Sequence, residues 1–261
     1  MKLRIGIDNN LFTDRVQDLV KSGGIDFELI MLKETREMIN QLKTGAIQAI
    51  VIPLEGAPFF DKTEMIIAAL SERLAANNCL LINKDSFDPS QVLRLKKGVT
   101  VHSITALEKA MLSEIRPDLV HCELSALRVG DHIDALFTSE EYVEKFFDGD
   151  LFEKMTLSPF EFPPVPGTGV LSFVCLRADT DTRRHLQKIH HKEVSVCTNV
   201  ERAVMREQIE NRKNMGVWCE RDANGYYHAC AVCLKDGRIR RGRASSSTHA
   251  GLAQELARQI F

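Results

Sequence analysis

The sequence predicts an α/β chain built as two β-α lobes and a smaller α+β C-terminal region. Three observations carry this: two successive strand-helix-strand passes, a proline-rich connector at 159–169, and a tail with one hairpin signal and a closing helix. At 261 residues, 44% hydrophobic and 27% charged, the chain is long enough to bury more than one core.

The first pass opens with L-R-I-G-I (3–7), a short apolar strand, then an amphipathic helix over 12–21, a break at Gly23-Gly24 and a second strand over 27–32. Thr35 is placed to cap a helix that runs to Lys43 and stops at Gly45. The nearly continuous apolar run 46–52 reads as a strand buried on both faces, the mark of a parallel, central position. A helix is expected over 63–74, a strand over 79–82, and a loop in K-D-S-F-D-P-S.

The second pass begins with a strand over 99–102 and a helix over 106–115 halted by Pro117. Strands follow over 119–124 and in H-I-D-A-L-F. Residues 159–169 hold four of the eight prolines and read as a stiff connector between lobes. Beyond it come a strand (170–176), a helix (181–189), and a stretch from Val196 to Trp218 that reads as strand, capped helix, polar turn and strand. Asp236-Gly237 marks a hairpin, and a helix closes the chain over 248–261.

Charge and cysteine usage exclude several function classes. Thirty-four basic and 36 acidic residues give a formal charge of -2, so no global field recruits nucleic acid or an anionic membrane. The start M-K-L-R-I-G-I-D-N-N has too short an apolar patch for a secretory leader, and no 18-residue apolar run occurs, so a cytoplasmic protein is expected. Seven cysteines, an odd number scattered through apolar segments, suit reduced structural thiols.

Local constellations add little chemistry. Cys230 and Cys233 have C-x-x-C spacing near Cys219 and His228, but strand positions three apart face opposite ways and no second C-x-x-C exists, so no metal is expected. His190-His191 reads as structural, beside a helix end. The basic run R-I-R-R-G-R (238–243), next to Tyr226-Tyr227, reads as a solvated hairpin arm rather than a nucleic-acid face. Gly167-Thr168-Gly169 lacks phosphate-loop spacing, and neither G-x-S-x-G nor H-E-x-x-H occurs.

Six stretches, in order, resemble the hydroxymethylbilane synthase (porphobilinogen deaminase) family: R-I-G-I-D-N-N-L, L-K-T-G-A-I-Q-A-I-V-I-P-L-E-G-A-P, I-R-P-D-L, D-A-L-F, P-V-P-G-T-G-V-L and V-E-R-A-V-M-R. The resemblance covers nearly the whole chain. It implies two periplasmic-binding-protein-like lobes with a cleft between them and a small α+β third domain. The expected division is 1–98 with 162–188, then a shortened 99–161, then 189–261. It also implies a role tied to tetrapyrrole, and hence heme, biosynthesis.

The resemblance is to the family's scaffold more than to its chemistry. The family's turn after E-R-A carries a cysteine bonded to a dipyrromethane cofactor; here E-N-R-K-N puts Asn211 or a neighbour there, and an amide cannot form the thioether. No dipyrromethane attachment is expected, and Cys219 is the nearest thiol. The family's lysine and catalytic aspartate correspond to Glu55 and Gly56. Its first-strand arginine and serine correspond to Asp8 and Asn10, its paired arginines to Leu107 and Glu108, its R-G-N to Ser125–Leu127, and its P-G-Q-G glutamine to Thr168. The loop between Leu32 and Thr35 is abrupt, and about one helix is missing after Leu127. The expectation is a catalytically inactive family member whose cleft, lined by Asp8, Asn10, Glu55, Ser103 and Thr105, takes a neutral or cationic small molecule, or one that contacts a protein partner. The alternatives are a divergent active synthase anchored on another thiol and a two-lobe binding or scaffold protein.

Overall fold

The computed structural model describes residues 2–8, 12–59, 63–74, 76–126, 132–140, 143 and 151–261. It divides into two compact units, Met1–Leu74 with Gly167–Val196, and Ala75–Pro166 with Cys197–Phe261.

In the first unit, β1 (Leu3–Ile7), β2 (Phe27–Met31), β3 (Ala49–Pro53), β4 (Met65–Leu70) and β10 (Leu171–Leu176) form one sheet, ordered β2-β1-β3-β10-β4. β2, β1 and β3 run parallel, while β10 is antiparallel to both β3 and β4. The sheet is therefore mixed. Helix α1 (Thr13–Ser22) sets Val16 and Val20 against Leu3, Ile5, Val51 and Phe173 on one face. Helix α2 (Thr35–Lys43) sets Met38 and Leu42 against Ile50, Ile52 and Val174 on the other. Both faces of β3 are covered, which explains its unbroken apolar run. The α2 N-cap is Glu34 rather than Thr35, without a side-chain capping bond, and Gly45 follows its end at φ +75.

Residues 65–70, expected as helix, are strand β4. M-I-I-A-A-L is a short continuous apolar run, and periodicity alone cannot tell such a strand from a buried helix. Pairing with β10 decides it.

The second unit holds β5 (Asn78–Asn83), β6 (Thr100–Ser103), β7 (Val120–Glu123), β8 (Ala135–Ser139) and β9 (Phe152–Thr156), ordered β7-β6-β8-β5-β9. β5 pairs with β8 and β9, so the chain enters this unit after Leu74, well before the boundary at 98 read from the sequence. Helix α3 (Ala106–Ile115) packs Leu107, Met111 and Leu112 onto Leu80, Ile82, Val101 and Phe137. The helix expected to be missing after Leu127 falls on residues outside those described.

Helix α4 (Thr180–Leu186) returns the chain along the first unit, and α5 (Lys192–Glu207) runs on into the second. The strand expected at Val196 is part of α5, whose Cys197, Val200, Glu201, Val204 and Met205 are buried at helical spacing. β11 (Met215–Arg221), β12 (Tyr227–Lys235) and β13 (Arg238–Ser246) form an antiparallel sheet backed by α6 (Leu252–Ile260). Asp236 (φ +53) and Gly237 (φ +71) both take the left-handed conformation that a two-residue hairpin of this kind requires. Val232 of β12 enters the α3 core cluster. Arg241 bonds Glu114 of α3 at 3.0 Å and the Glu161 carbonyl, and Arg243 bonds the Glu161 carboxylate at 2.6 Å. The basic run thus fastens the C-terminal sheet to its own unit. Among the described residues no helix is long and apolar enough to cross a membrane.

Candidate functional site

Ligands of open α/β sheets gather outside the carboxyl ends of parallel strands, and Asp8, Glu55 and Ser103 follow or end such strands. In the first unit β1 and β3 are parallel neighbours with Ile7 opposite Val51, so Asp8 and the turn after β3 leave the sheet at one edge. Asp8 is half-buried; burial pushes its carboxyl above the usual range, opposed by a hydrogen bond from its own backbone. Asn10 lies outside the described residues.

After β3 the chain makes a short 3-10 turn, Leu54–Gly56. A Cβ at Gly56 would meet nothing within 4 Å, so packing does not require glycine there. Glu55 is exposed, and its Oε2 accepts the hydroxyl of buried Thr168 at 2.5 Å. Gly167 (φ +88) and Gly169 (φ +77) give the G-T-G loop its left-handed turns, and a Cβ on Gly167 would lie 2.9 Å from Leu54 Cγ. The loop is thereby pressed onto the turn that carries Glu55.

Sequence reasoning passed over Arg15. From α1 its Nη2 donates to Ser71 Oγ (2.9 Å), the Glu72 carbonyl (2.8 Å) and the Gly169 carbonyl (3.0 Å). These partners are up to 154 residues away, so no local pattern announces them. His190, read as structural beside a helix end, accepts the Leu70 N–H through Nδ1 at 3.1 Å.

In the second unit Ser103 ends β6 and is buried, and Thr105 caps α3. Thr105 Oγ1 accepts the Glu108 N–H at 3.2 Å, while Glu108 Oε2 accepts the N–H groups of Ile104 (2.7 Å) and Thr105 (3.0 Å). Burial pushes the Glu108 carboxyl up, and these bonds oppose the shift. Leu107 is a core residue. Where the resemblance implied paired arginines, the chain has one core side chain and one self-capping carboxylate. Ser125 donates to Glu123 Oε2 at 3.2 Å in the 3-10 turn Leu124–Ala126.

The polar stretch after α5 forms a 3-10 turn, Ile209–Asn214, which contains Asn211 and no cysteine. Cys219 lies beyond it in β11, 1% exposed, with its backbone N–H held by Glu201 Oε1 at 3.0 Å. The glutamate of E-R-A therefore works on the core. Its neighbour Arg202 is also buried, and burial followed by repulsion from Arg206 brings its guanidinium down to about 10. All seven cysteines are unbridged; six are buried and Cys122 is half-buried. Burial pushes the thiols of Cys79 and Cys230 up to about 12 and that of Cys175 to about 11. Among the described residues no group of three or more His, Cys, Asp or Glu side chains is placed to hold a metal ion.

Comparison with known proteins returns to the sequence resemblance. The chain is 24% identical over 237 residues to porphobilinogen deaminase of Limosilactobacillus reuteri (strain DSM 20016), a match covering 88% of this chain and 65% of that one. It is 25% identical over 184 residues to porphobilinogen deaminase of Listeria monocytogenes, covering 65% of this chain and 57% of the relative. The chain is distantly related to the porphobilinogen deaminases. It spans about two thirds of the length of the first relative and less of the second. No protein-family model matches it. Among solved structures it is similar to the VFT2 domain of Bordetella pertussis BvgS at 15% identity and TM-score 0.43, covering 72% of this chain and 86% of that one.

Proposed function

We propose that this chain is a hydroxymethylbilane synthase-like protein of the tetrapyrrole and heme pathway that has no deaminase activity and carries no dipyrromethane cofactor. The observation that supports this most is the placement of its thiols. The family's reaction starts from a cofactor held on a cysteine in the turn after the E-R-A helix, and that turn here is Ile209–Asn214, without a thiol. Cys219, the one sequence-local substitute, is sealed in β11. A thiol buried in this way is not accessible to a group of that size.

Two further features agree. Gly56 offers no group to move protons on a pyrrole nitrogen. Carboxylates stand where the family has cationic groups, Asp8 and Glu108 in place of arginines and Glu55 in place of a lysine, so the charge-assisted bonds that polycarboxylate substrates need are lost. A neutral or cationic small molecule, or a protein partner, fits these positions better. Seven unbridged cysteines suit a reducing compartment, and we place the protein in the cytoplasm.

Intact mass and absorbance of protein made in a pyrrole-producing host test the reading. The expected result is the bare polypeptide with no visible band. A mass excess equal to a dipyrromethane overturns it and favours a divergent active synthase.

A further inference from the structure

Asp222, His228 and Ser245, in the C-terminal sheet, form a hydrogen-bonded chain that the proposed function leaves unused. His228 of β12 faces Ser245 of β13 directly, and its Nδ1 lies 2.8 Å from Ser245 Oγ. Its Nε2 lies 3.2 Å from Asp222 Oδ2. Asp222 sits at the turn joining β11 to β12, where its Oδ1 accepts the N–H groups of Asn224 (3.0 Å) and Tyr226 (2.7 Å).

The protonation pattern follows from these contacts. Burial pushes the Asp222 carboxyl up, but hydrogen bonds from His228, Tyr226 and Asn224 outweigh it and hold the group below the usual carboxylate range. An ionised carboxylate only accepts, so His228 Nε2 carries the ring proton. In the neutral imidazole Nδ1 is then bare and takes the Ser245 hydroxyl hydrogen. That is the order of orienting carboxylate, base and nucleophile.

The sheet register adds a backbone donor. Arg243 donates its N–H to Gln259 Oε1 and accepts the Gln259 Nε2–H at its carbonyl, so its main-chain groups point away from β12. Residues two apart on a strand point the same way, which aims the Ser245 N–H to the outer side of the last strand too. It also makes His228 and Ser245 a non-hydrogen-bonded pair, in which facing side chains approach most closely. Ser245 is exposed to solvent.

We propose that Ser245 is a nucleophile toward activated acyl donors, with His228 as its base and Asp222 as the group that orients the base. Ser245 Oγ attacks the ester carbonyl as its proton passes to His228 Nδ1; the Oγ–carbon bond forms, the bond between the acyl carbon and the aryl ester oxygen breaks, and aryl oxide leaves. Once His228 has passed that proton to solvent, water attacks the acyl-serine and gives a proton to the neutral His228 Nδ1; the acyl carbon–Oγ bond breaks, Ser245 Oγ recovers the proton from His228, and the carboxylic acid leaves. A single backbone N–H beside the nucleophile gives less oxyanion stabilisation than the usual pair, by about 10²–10³-fold. The substrate class is therefore restricted to esters with good leaving groups, such as p-nitrophenyl acetate. This site is independent of the deaminase relationship, so its failure leaves that reading untouched.

The test uses diisopropyl fluorophosphate for covalent capture and p-nitrophenyl acetate for the acyl step, on the full chain, with Ser245→Ala and His228→Gln. The expected result is one phosphoryl adduct, mapped to Ser245, absent in Ser245→Ala. In His228→Gln, which keeps the serine, labelling and p-nitrophenol release slow by about 100-fold while the melting temperature is retained. No adduct on the wild type, an adduct elsewhere, or equal rates in wild type and His228→Gln overturns the proposal.

Discussion

Replacing Gly216 by alanine measures how firmly the proline-rich connector is seated on the C-terminal sheet. A Cβ at this position of β11 would lie 2.1 Å from the Pro163 carbonyl oxygen, 2.9 Å from its carbon and 3.2 Å from Val232 Cγ1. The first two are backbone atoms of the connector, which cannot rotate aside as a side-chain tip would. Relief requires a shift of about 1 Å in the connector, and the adjacent bond from Val217 N–H to the Pro164 carbonyl, at 2.9 Å, lies in the path. Overpacking of this kind costs about 1–3 kcal/mol, and the lost hydrogen bond about 0.5–1.5 more. Together they amount to about 3 kcal/mol. For a unit of this size that lowers the melting temperature by about 6–12 °C. Trp218, the chain's only tryptophan and itself in β11, makes fluorescence a local probe of this unit. A Gly216→Ala protein that melts within about 2 °C of wild type by Trp218 fluorescence would refute the reasoning, because the connector would then be free to step away from β11.

Three further outcomes are expected. His190 is held below its ordinary value of 6.5 by burial first and then by His191 and Lys192, so the folded state binds fewer protons than the unfolded one; stability is full above that value and declines as pH falls through it. In His190→Asn, whose Oδ1 still accepts the Leu70 N–H, thermal unfolding followed from about pH 7 to about pH 5 should lose less stability than wild type. Asn211→Cys alone should give no porphobilinogen turnover in a colorimetric product assay, since Gly56 and the carboxylates at the strand ends remain. Porphobilinogen should produce no upward thermal shift, at low salt or at about 0.5 M salt, although a ligand at about 100 times its dissociation constant would add about 2.7 kcal/mol.

Much of the fold was legible because its signals are local. β1, α1, β3, α3 and the Asp236-Gly237 hairpin each announce themselves by periodicity or turn chemistry within a dozen residues. The misreadings share a cause. Residues 65–70 are a short apolar run and V-C-T-N-V at 196–200 a mixed one; the period of each is ambiguous, and packing decides them: β10 for the first, the core beneath α5 for the second. The placement of β5 depends on pairing with β8 and β9, which no count of residues within 78–83 can reveal. For the candidate site, the sequence located the strand ends but not what their side chains do. Glu55 meeting Thr168 and Arg15 reaching Gly169 are contacts over 113 and 154 residues. In the sequence His228 stands out only beside the cysteines, and its grouping with Asp222 and Ser245 escapes notice because strand register, not spacing, brings them together.

Charges counted along the sequence describe a row of carboxylates that repels anions, and the structure changes what that row does. Glu108 has turned back on its own helix, where Ile104 and Thr105 give it two N–H bonds at the positive end of the helix dipole. Glu55 accepts a short bond from Thr168. These groups act less as bare negative charge than as ligands already bound. The distinction is physical: repulsion between exposed charges is screened by salt, whereas competition by a tethered carboxylate is not. An incoming carboxylate at the start of α3 must first displace Glu108, giving up two bonds to gain two of the same kind, with nothing left over to offset the lost freedom of the ligand. The tether holds Glu108 at an effective concentration in about the millimolar range or above, which a weak free acid does not match. The expected outcome is that polycarboxylates give no thermal shift at this end of the second sheet at low salt or at high salt, so long as α3 stays folded.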